Sequence, residues 1–140
     1  MAHFAIEHLS EDQLLEGWPV VSISHSHANP DWWLSEAAAL IERGGGILAA
    51  RAPDGSIHGI ATYEVARKAL LGRVLAVDTL IAFELSRRAP ARHALCEALE
   101  LLASAFDCRS TVLPLPSKAH VQHRAKTIYG LIDFEPPGLG

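Results

Sequence analysis

The spacing of apolar residues divides the chain into helical and extended segments. Residues 90–106 carry apolar side chains every three or four positions, opposite Arg92, Glu97 and Glu100, as in a helix that buries one face. Residues 73–83 lack this period and are rich in Val, Leu and Ile, which predicts a central strand buried on both faces. Together, the two patterns predict an α/β protein.

Capping and turn residues set the boundaries of the other elements. Ser10 begins a capping box, and Asn29 followed by Pro30 suits the start of a second helix. Asp54 and Gly55 supply a tight turn between two strands. In chain order, the predicted elements are a strand (4–8), a helix (10–17), a loop (18–27), a helix (29–43), a hairpin of two strands (47–52 and 57–65), a long strand (73–83), a helix (90–106), a strand (110–113), a helix (117–129) and a final strand (132–135).

The connections between these elements predict how the strands pair. The hairpin leads through a short turn into the strand over residues 73–83, so the three strands form an antiparallel meander. The helix over residues 90–106 is a crossover, which places the strand over residues 110–113 parallel to the strand over residues 73–83. We therefore expect an α/β (α+β) fold with a mixed sheet, flanking helices and a single domain over residues 1–140.

Composition and charge narrow the class of partner. The 140 residues are 49% hydrophobic, enough for one core, and the formal net charge of −4 argues against binding to nucleic acid or to an anionic membrane. The chain does not open with a basic region followed by an apolar run, so we expect a cytoplasmic protein. In that compartment, Cys96 and Cys108 are expected to be buried thiols rather than a disulfide.

Several segments are similar to one known superfamily. They are the predicted hairpin (46–51 and 54–61), the helix His-Ala-Leu-Cys-Glu-Ala-Leu-Glu-Leu-Leu-Ala (93–103), the exit into the next strand (107–113) and the ending Ile-Tyr-Gly-Leu-Ile-Asp-Phe-Glu (128–135). Together with the order of the elements, they resemble the GNAT N-acetyltransferase superfamily along nearly the whole chain. Asp133 stands where that superfamily usually has glycine.

The resemblance implies a binding site for acetyl-CoA as cosubstrate. In the superfamily, the strand that corresponds to residues 73–83 diverges from its parallel neighbour at the C-terminal end. The gap between the two strands admits the pantetheine arm, which pairs with backbone groups. Here those groups would lie near Leu80, Ile81 and Ala82.

The stretch that matches the superfamily's pyrophosphate loop departs from the usual pattern. An Arg/Gln-x-x-Gly-x-Gly/Ala loop is replaced by Arg-Arg-Ala-Pro-Ala-Arg over residues 87–92, in which Pro90 has no backbone N–H to donate. Arg87, Arg88 and Arg92 can replace the missing contacts with charge-assisted ones, beside the backbone at Ala91. The alternative is that these arginines form only a solvated helix start.

Acyl transfer to an amine needs a base for the amine proton and an acid for the leaving thiolate. Tyr129 matches the position of the superfamily's usual acid. Asp78 interrupts an apolar strand near the usual position of the base, and Glu64 on the preceding strand is the second candidate base. The alternatives are that Tyr129 packs on the sheet and that the carboxylates line a cleft without catalysis.

The eight histidines invite a metal hypothesis. His25 and His27, and likewise His120 and His123, have spacings found at metal sites. The first pair lies in a predicted loop without a cluster of Cys or carboxylates, and the second fits an exposed helix face. No metal site is predicted.

Two functional hypotheses follow. The first is an N-acyltransferase that moves an acetyl or similar group from a CoA thioester to a small-molecule or peptide amine by direct attack. Trp18, Trp32 and Trp33 then line the acceptor pocket, with core packing as their alternative role. The second is a non-catalytic GNAT-fold module that has lost CoA binding and holds a ligand or a protein. Pro90 and Arg92 favour this second hypothesis.

The end of the chain predicts a homodimer. Members of the superfamily usually finish with a hairpin of two strands, whereas the strand over residues 132–135 is the last one predicted here. Pro136 and Pro137 block one end of that strand from pairing. An exposed strand edge is either covered or used for pairing, and we favour pairing across a two-fold axis.

Overall fold

A computed structural model describes residues 3–114. The helix predicted over residues 117–129, the strand over residues 132–135 and Tyr129 lie outside these residues. In chain order, the described elements are β1 (Ala5–His8), a 3₁₀ helix (Glu11–Gly17), α1 (Trp18–Val21), α2 (Pro30–Glu42), β2 (Gly46–Arg51), β3 (Ile57–Lys68), β4 (Gly72–Ala82), α3 (Pro90–Ala105) and β5 (Ser110–Val112).

The strands of this described part form one mixed sheet in the order β1-β2-β3-β4-β5. Neighbours from β1 to β4 pair antiparallel, and β5 pairs parallel to β4, with Val74 opposite Ser110 and Ala76 opposite Val112. The chain reaches β5 through α3, so the crossover explains the parallel pairing. The predicted mixed sheet, with its meander and its parallel pair, is confirmed.

The parallel ladder is short. It ends at Ala76 and Val112, although β4 continues to Ala82. Within residues 3–114, the second half of β4 has ladder partners only in β3. The description of the chain ends two residues beyond Val112, so the divergence of the two strands at their C-terminal ends stays a prediction.

Two differences from the prediction are larger than a residue or so at the end of an element. The strand predicted over residues 57–65 runs on to Lys68, because the β3–β4 ladder continues to Gly72, where a φ of 75° allows the tight return. Residues 18–21, predicted as a loop, form helix α1. Pro19 fits the first helical turn, and Val20 and Val21 are buried in the core.

The predicted starts of the first two helical segments are confirmed. The side chain of Asn29 accepts a hydrogen bond from the backbone N–H of Trp32 at 2.9 Å at the start of α2. The backbone N–H of Ser10 donates to Gln13 Oε1 at 3.0 Å at the start of the 3₁₀ helix. Both contacts satisfy backbone groups that a helix end leaves unpaired.

The sheet is covered on both faces. On one face, α3 inserts Leu95 and Leu99, both fully buried, against Leu75 and its neighbours. Gly59 allows this approach, since a Cβ at that position would lie 2.8 Å from Leu95 Cδ1. On the other face, α1, α2 and the 3₁₀ helix cover a cluster that includes Trp33, and the candidate site lies on this second side.

The two cysteines are less buried than predicted. Cys96 and Cys108 are each partly exposed and lie against the α3 core, and neither is part of a disulfide. Cys96 follows the buried Leu95 and so points toward the edge of the helix face.

None of the helices in residues 3–114 is long and apolar enough to span a membrane.

Candidate active site

A β-bulge in β4 shapes the site. Thr62 of β3 pairs with Thr79, whereas the next residue, Tyr63, pairs with Val77, so Asp78 has no partner in the β3–β4 ladder. An extra residue in one strand breaks the alternation of side chains between the two faces. Val77 and Leu80 therefore both face α3, although they are three positions apart.

The same bulge places two consecutive polar residues on the opposite face. Asp78 and Thr79 both line an open pocket of about 210 Å³ between α2 and the sheet. In a regular strand, one of the two would point toward α3. The remaining lining residues come from α1 and the turn after it (Val21, His25), from α2 and its C-terminal cap (Trp32, Trp33, Glu36, Ala37, Leu40, Arg43) and from β3 (Thr62, Glu64).

An ion pair crosses this pocket. Arg43 at the end of α2 donates from Nη2 to Glu64 Oε2 at 3.2 Å and from Nε to Glu64 Oε1 at 3.4 Å. The hydrogen bond to Glu64 is the main cause that raises the pKa of Arg43, and the charges of Glu64, Glu36 and Asp78 add to it. The three carboxylates and the guanidinium all line the same pocket. Both partners of the pair are well exposed, so the pair contributes little to stability.

The three tryptophans have different roles. Trp33 is buried and donates from Nε1 to the carbonyl oxygen of Leu14 at 2.7 Å, so it belongs to the core while one part of it borders the pocket. Trp32 is more exposed and stacks on His25, with 4.9 Å between ring centroids. Trp18 packs against the core and does not line this pocket.

The start of α3 carries a carboxylate on its backbone donors. Glu84 accepts hydrogen bonds from the backbone N–H groups of Ala91 at 3.3 Å and Arg92 at 2.8 Å. These are two of the donors that a helix N-terminus leaves without an intrahelical partner. Glu84 thus occupies a position in which an anionic ligand would be stabilised by the same N–H groups.

The arginines near this helix start are differently placed. Arg87 and Arg88 are exposed, and Arg92 is partly buried. Within residues 3–114, none of the three forms a salt bridge with a carboxylate. Pro90 has no backbone N–H, and Glu84 occupies the next two backbone donors of this helix start.

The chain is similar to known proteins in structure but matches none of them in sequence. No protein-family model and no curated protein sequence matches the chain. Among solved structures, an aminoglycoside N-acetyltransferase in complex with CoA aligns with a TM-score of 0.73 at 15% identity, over 97% of this chain and 90% of that one. A ribosomal-protein-alanine N-acetyltransferase from Brucella melitensis biovar Abortus 2308 aligns with a TM-score of 0.66 at 22% identity, over 93% and 90%. The glucosamine-6-phosphate N-acetyltransferase from Arabidopsis thaliana aligns with a TM-score of 0.65 at 12% identity, over 96% and 92%.

The chain has the GNAT fold. Its mixed sheet and flanking helices match those of the neighbours, which are acetyltransferases. One neighbour contains CoA, and another contains the bisubstrate analogue CoA-S-monomethyl-acetylneamine. At these low identities, the likeness concerns the fold.

Within this GNAT fold, the residues expected to contact CoA follow one another from the end of β4 to the first turn of α3. Leu80, Ile81 and Ala82 occupy the end of β4, beyond the last pair of the β4–β5 ladder. Arg87, Arg88, Ala91 and Arg92 follow at the loop and the first turn of α3. Leu80 and Ile81 are buried and point to opposite faces of the sheet, so each side chain packs in a different core cluster. Within residues 3–114, their backbone groups on the β5 side of β4 have no ladder partner.

The two candidate bases are brought together, but their surroundings differ. Asp78 and Glu64 both line the pocket. Glu64 is held by Arg43, whereas the exposed Asp78 forms no side-chain hydrogen bond or salt bridge with another residue of 3–114. Tyr129, the candidate acid, lies outside the described residues, as do His120 and His123. Within residues 3–114, no group of three metal-ligating side chains could hold a metal ion.

The sequence reasoning missed Thr62, Thr79, Glu36 and Arg43 as pocket residues. Glu36 and Arg43 are seven positions apart on α2 and therefore share a helix face, a signal that was visible in the sequence. Thr62 interrupts an apolar strand, as Asp78 does. The bulge that brings Thr79 to the pocket leaves no comparable trace.

Proposed function

We propose that the chain is an N-acetyltransferase that transfers the acetyl group of acetyl-CoA to an amine bound in the pocket beside Asp78. The observation that carries the proposal is the position of Asp78. It lies in the bulge of β4, between the pocket on one side and the edge of the same strand that, among the described residues, has no ladder partner from Val77 to Ala82. An amine in the pocket is thus next to the edge on which the resemblance places the thioester.

The proposed reaction uses Asp78 as the base. Its carboxylate takes one proton from the attacking amine, whose nitrogen forms a C–N bond with the carbonyl carbon of the thioester. The C–S bond then breaks, and the thiolate of CoA takes a proton from an acid, for which Tyr129 is the candidate. The products are an N-acetylated amine and CoA. Glu64, held by Arg43, supplies negative charge rather than proton transfer.

The residues proposed to hold acetyl-CoA follow the same strand and helix. Backbone groups near Leu80, Ile81 and Ala82 pair with the pantetheine arm. Arg87, Arg88 and Arg92 bind the diphosphate with their side chains, beside Ala91. The amine acceptor is a small molecule or a peptide. The neighbours named for aminoglycoside and glucosamine-6-phosphate acetylation are consistent with a small molecule.

A thermal-shift titration with acetyl-CoA tests this proposal. A ligand that binds only the folded protein, at 100 times its dissociation constant, adds about 2.7 kcal/mol to stability. We expect a concentration-dependent rise in Tm with acetyl-CoA, and release of free CoA thiol when an amine is added. No rise in Tm and no thiol release over a panel of amines would contradict the proposal.

One observation favours a non-catalytic alternative. Glu84 already occupies two backbone donors at the start of α3, where a diphosphate would otherwise bind. In a module that had lost CoA binding, the hydrogen bonds of Glu84 to these N–H groups would not compete with any ligand. In that case, an amine would still raise the Tm, whereas acetyl-CoA would not.

A further inference from the structure

The pocket carries more negative than positive charge. Glu36, Glu64 and Asp78 line it, and among the lining residues within 3–114 Arg43 is the one lysine or arginine. In this described part of the pocket, three carboxylates face one guanidinium, which leaves two negative charges uncompensated. A ligand that complements this pocket therefore carries positive charge.

Arg43 shows what kind of group the carboxylates stabilise. Its guanidinium is hydrogen-bonded to Glu64 and is also stabilised by the charges of Glu36 and Asp78. The negative charges of three pocket residues thus act on one cationic group, and one of the three also contacts it. Because one guanidinium neutralises one carboxylate, the other two carboxylates can attract a positively charged ligand.

A buried hydroxyl gives an independent indication of a ligand. Thr62 is only 4% exposed and lines the pocket, yet its hydroxyl has no hydrogen-bond partner within residues 3–114. Buried polar side chains are nearly always hydrogen-bonded, and a ligand in the pocket is placed to supply the partner of this hydroxyl. Because carboxylates line the same pocket, the partner that this hydroxyl favours is a hydrogen-bond donor such as an ammonium N–H.

We infer that the acceptor is a compact diamine, or another amine that keeps a second ammonium group while the first is acetylated. The inference rests on the proposed function and names its substrate class. Asp78 takes the proton of the reacting amine, and Glu64 is held by Arg43. Glu36, on α2, therefore receives the second ammonium group, and the Thr62 hydroxyl accepts a hydrogen bond from the ligand.

Three probes of equal chain length test the charge preference. They are butane-1,4-diamine, butan-1-amine and 4-aminobutanoic acid, each added with saturating acetyl-CoA while release of CoA thiol is measured. We expect kcat/KM for the diamine to exceed that of the monoamine by about fivefold, the factor that corresponds to one charge contact of about 1 kcal/mol at an exposed site. The amino acid should be the poorest acceptor. Equal or faster acetylation of the monoamine would overturn the inference and leave the proposed function intact.

Glu36→Gln tests which carboxylate holds the second ammonium group. It should bring the ratio of diamine to monoamine kcat/KM close to one. Glu42→Gln is the matched control, because Glu42 lies on the same helix, is exposed and does not line the pocket. An unchanged ratio in Glu36→Gln, or an equal loss in both variants, would contradict the assignment.

Calorimetry without acetyl-CoA separates binding from chemistry. Butane-1,4-diamine should bind the wild-type protein, and Thr62→Val should weaken that binding by about fivefold for one lost hydrogen bond. Thr111→Val removes a similarly buried hydroxyl away from the pocket and should not. Diamine binding without any acetyl transfer would keep the charge-selective pocket and reject the proposed function. Absence of diamine binding would overturn the inference itself.

Discussion

Asp78 and Glu64 are both acidic residues on the pocket-facing side of the sheet, yet the structure gives them different environments. Asp78 lies in the bulge, exposed and with no partner in the β3 ladder. Glu64 is fixed by two hydrogen bonds from Arg43. A carboxylate whose two oxygens both accept hydrogen bonds from a guanidinium has fewer lone pairs left to accept a proton from a substrate. This difference leads to a kinetic prediction.

Asp78→Asn should lower kcat for acetyl transfer by about a hundredfold or more, the usual range for loss of a general base. Glu64→Gln should act mainly on KM, since it removes charge and releases Arg43. Neither substitution should reduce stability by more than about 0.5 kcal/mol, because both side chains are exposed or partly exposed. Steady-state kinetics with thiol detection measures both effects. Equal losses of kcat in the two variants would refute the assignment of Asp78 as the base.

Leu95 tests the packing of α3 on the sheet. It is fully buried, whereas Leu101 on the same helix is 73% exposed. We expect Leu95→Ala to lower the free energy of unfolding by about 2–5 kcal/mol, through lost burial and a residual cavity. Leu101→Ala should change it by less than about 0.5 kcal/mol. Urea unfolding of the two variants checks this, and similar midpoints would show that α3 does not pack as described.

At the scale of elements, the start of α3 is the least usual feature for a protein with a GNAT fold. Its first helical residue, Pro90, has no N–H, and the next two N–H groups are taken by Glu84. Anion binding at this helix start therefore depends on side chains rather than on the backbone. Both the arginines and Glu84 become testable determinants of acetyl-CoA affinity.

Glu84→Gln and Glu84→Asp should each raise acetyl-CoA affinity by roughly two- to fivefold, corresponding to the 0.3–1 kcal/mol of a charge at a helix end. The Gln variant removes the charge. The Asp variant keeps the charge but shortens the side chain, so that it loses its reach to the backbone of Ala91 and Arg92. A gain in the Gln variant alone would point to simple charge repulsion. No gain in either, measured by calorimetry, would mean that Glu84 does not compete with the ligand.

Arg87→Ala and Arg88→Ala should weaken acetyl-CoA binding, because each removes a charge-assisted contact to the diphosphate. Such contacts are worth about 1.5–3 kcal/mol, so a loss of roughly tenfold or more is expected. Arg67→Ala, an exposed arginine of β3, serves as the control. Unchanged affinity in both variants would leave these arginines as surface charges.

At the scale of the whole molecule, the strand predicted over residues 132–135 leads to an expectation about assembly. If that strand ends the sheet with an unpaired edge, a second copy of the chain can supply the missing contacts. Sedimentation at micromolar concentration should then report about twice 15.1 kDa. A strictly monomeric protein would contradict this prediction.

Apart from α1, the sequence by itself determined the order of the elements within residues 3–114. Helical periodicity located α3, capping by Asn29 located the start of α2, and the crossover rule gave the parallel pairing of β4 with β5. These features depend on the spacing of nearby residues and on short chain connections, both of which can be read directly from the sequence. The identity of Asp78 and Glu64 as polar residues in apolar strands was visible for the same reason.

Only the tertiary structure decided how the site is assembled. The bulge at Asp78 depends on the register between β3 and β4, and a single extra residue leaves the local pattern of apolar and polar positions almost unchanged. The pairing of Arg43 with Glu64 joins residues 21 positions apart, and the contact of Glu84 with Arg92 depends on the path of the intervening loop. Such contacts are set by how helices dock on a sheet, because docking is fixed by packing over the whole core rather than by any one segment.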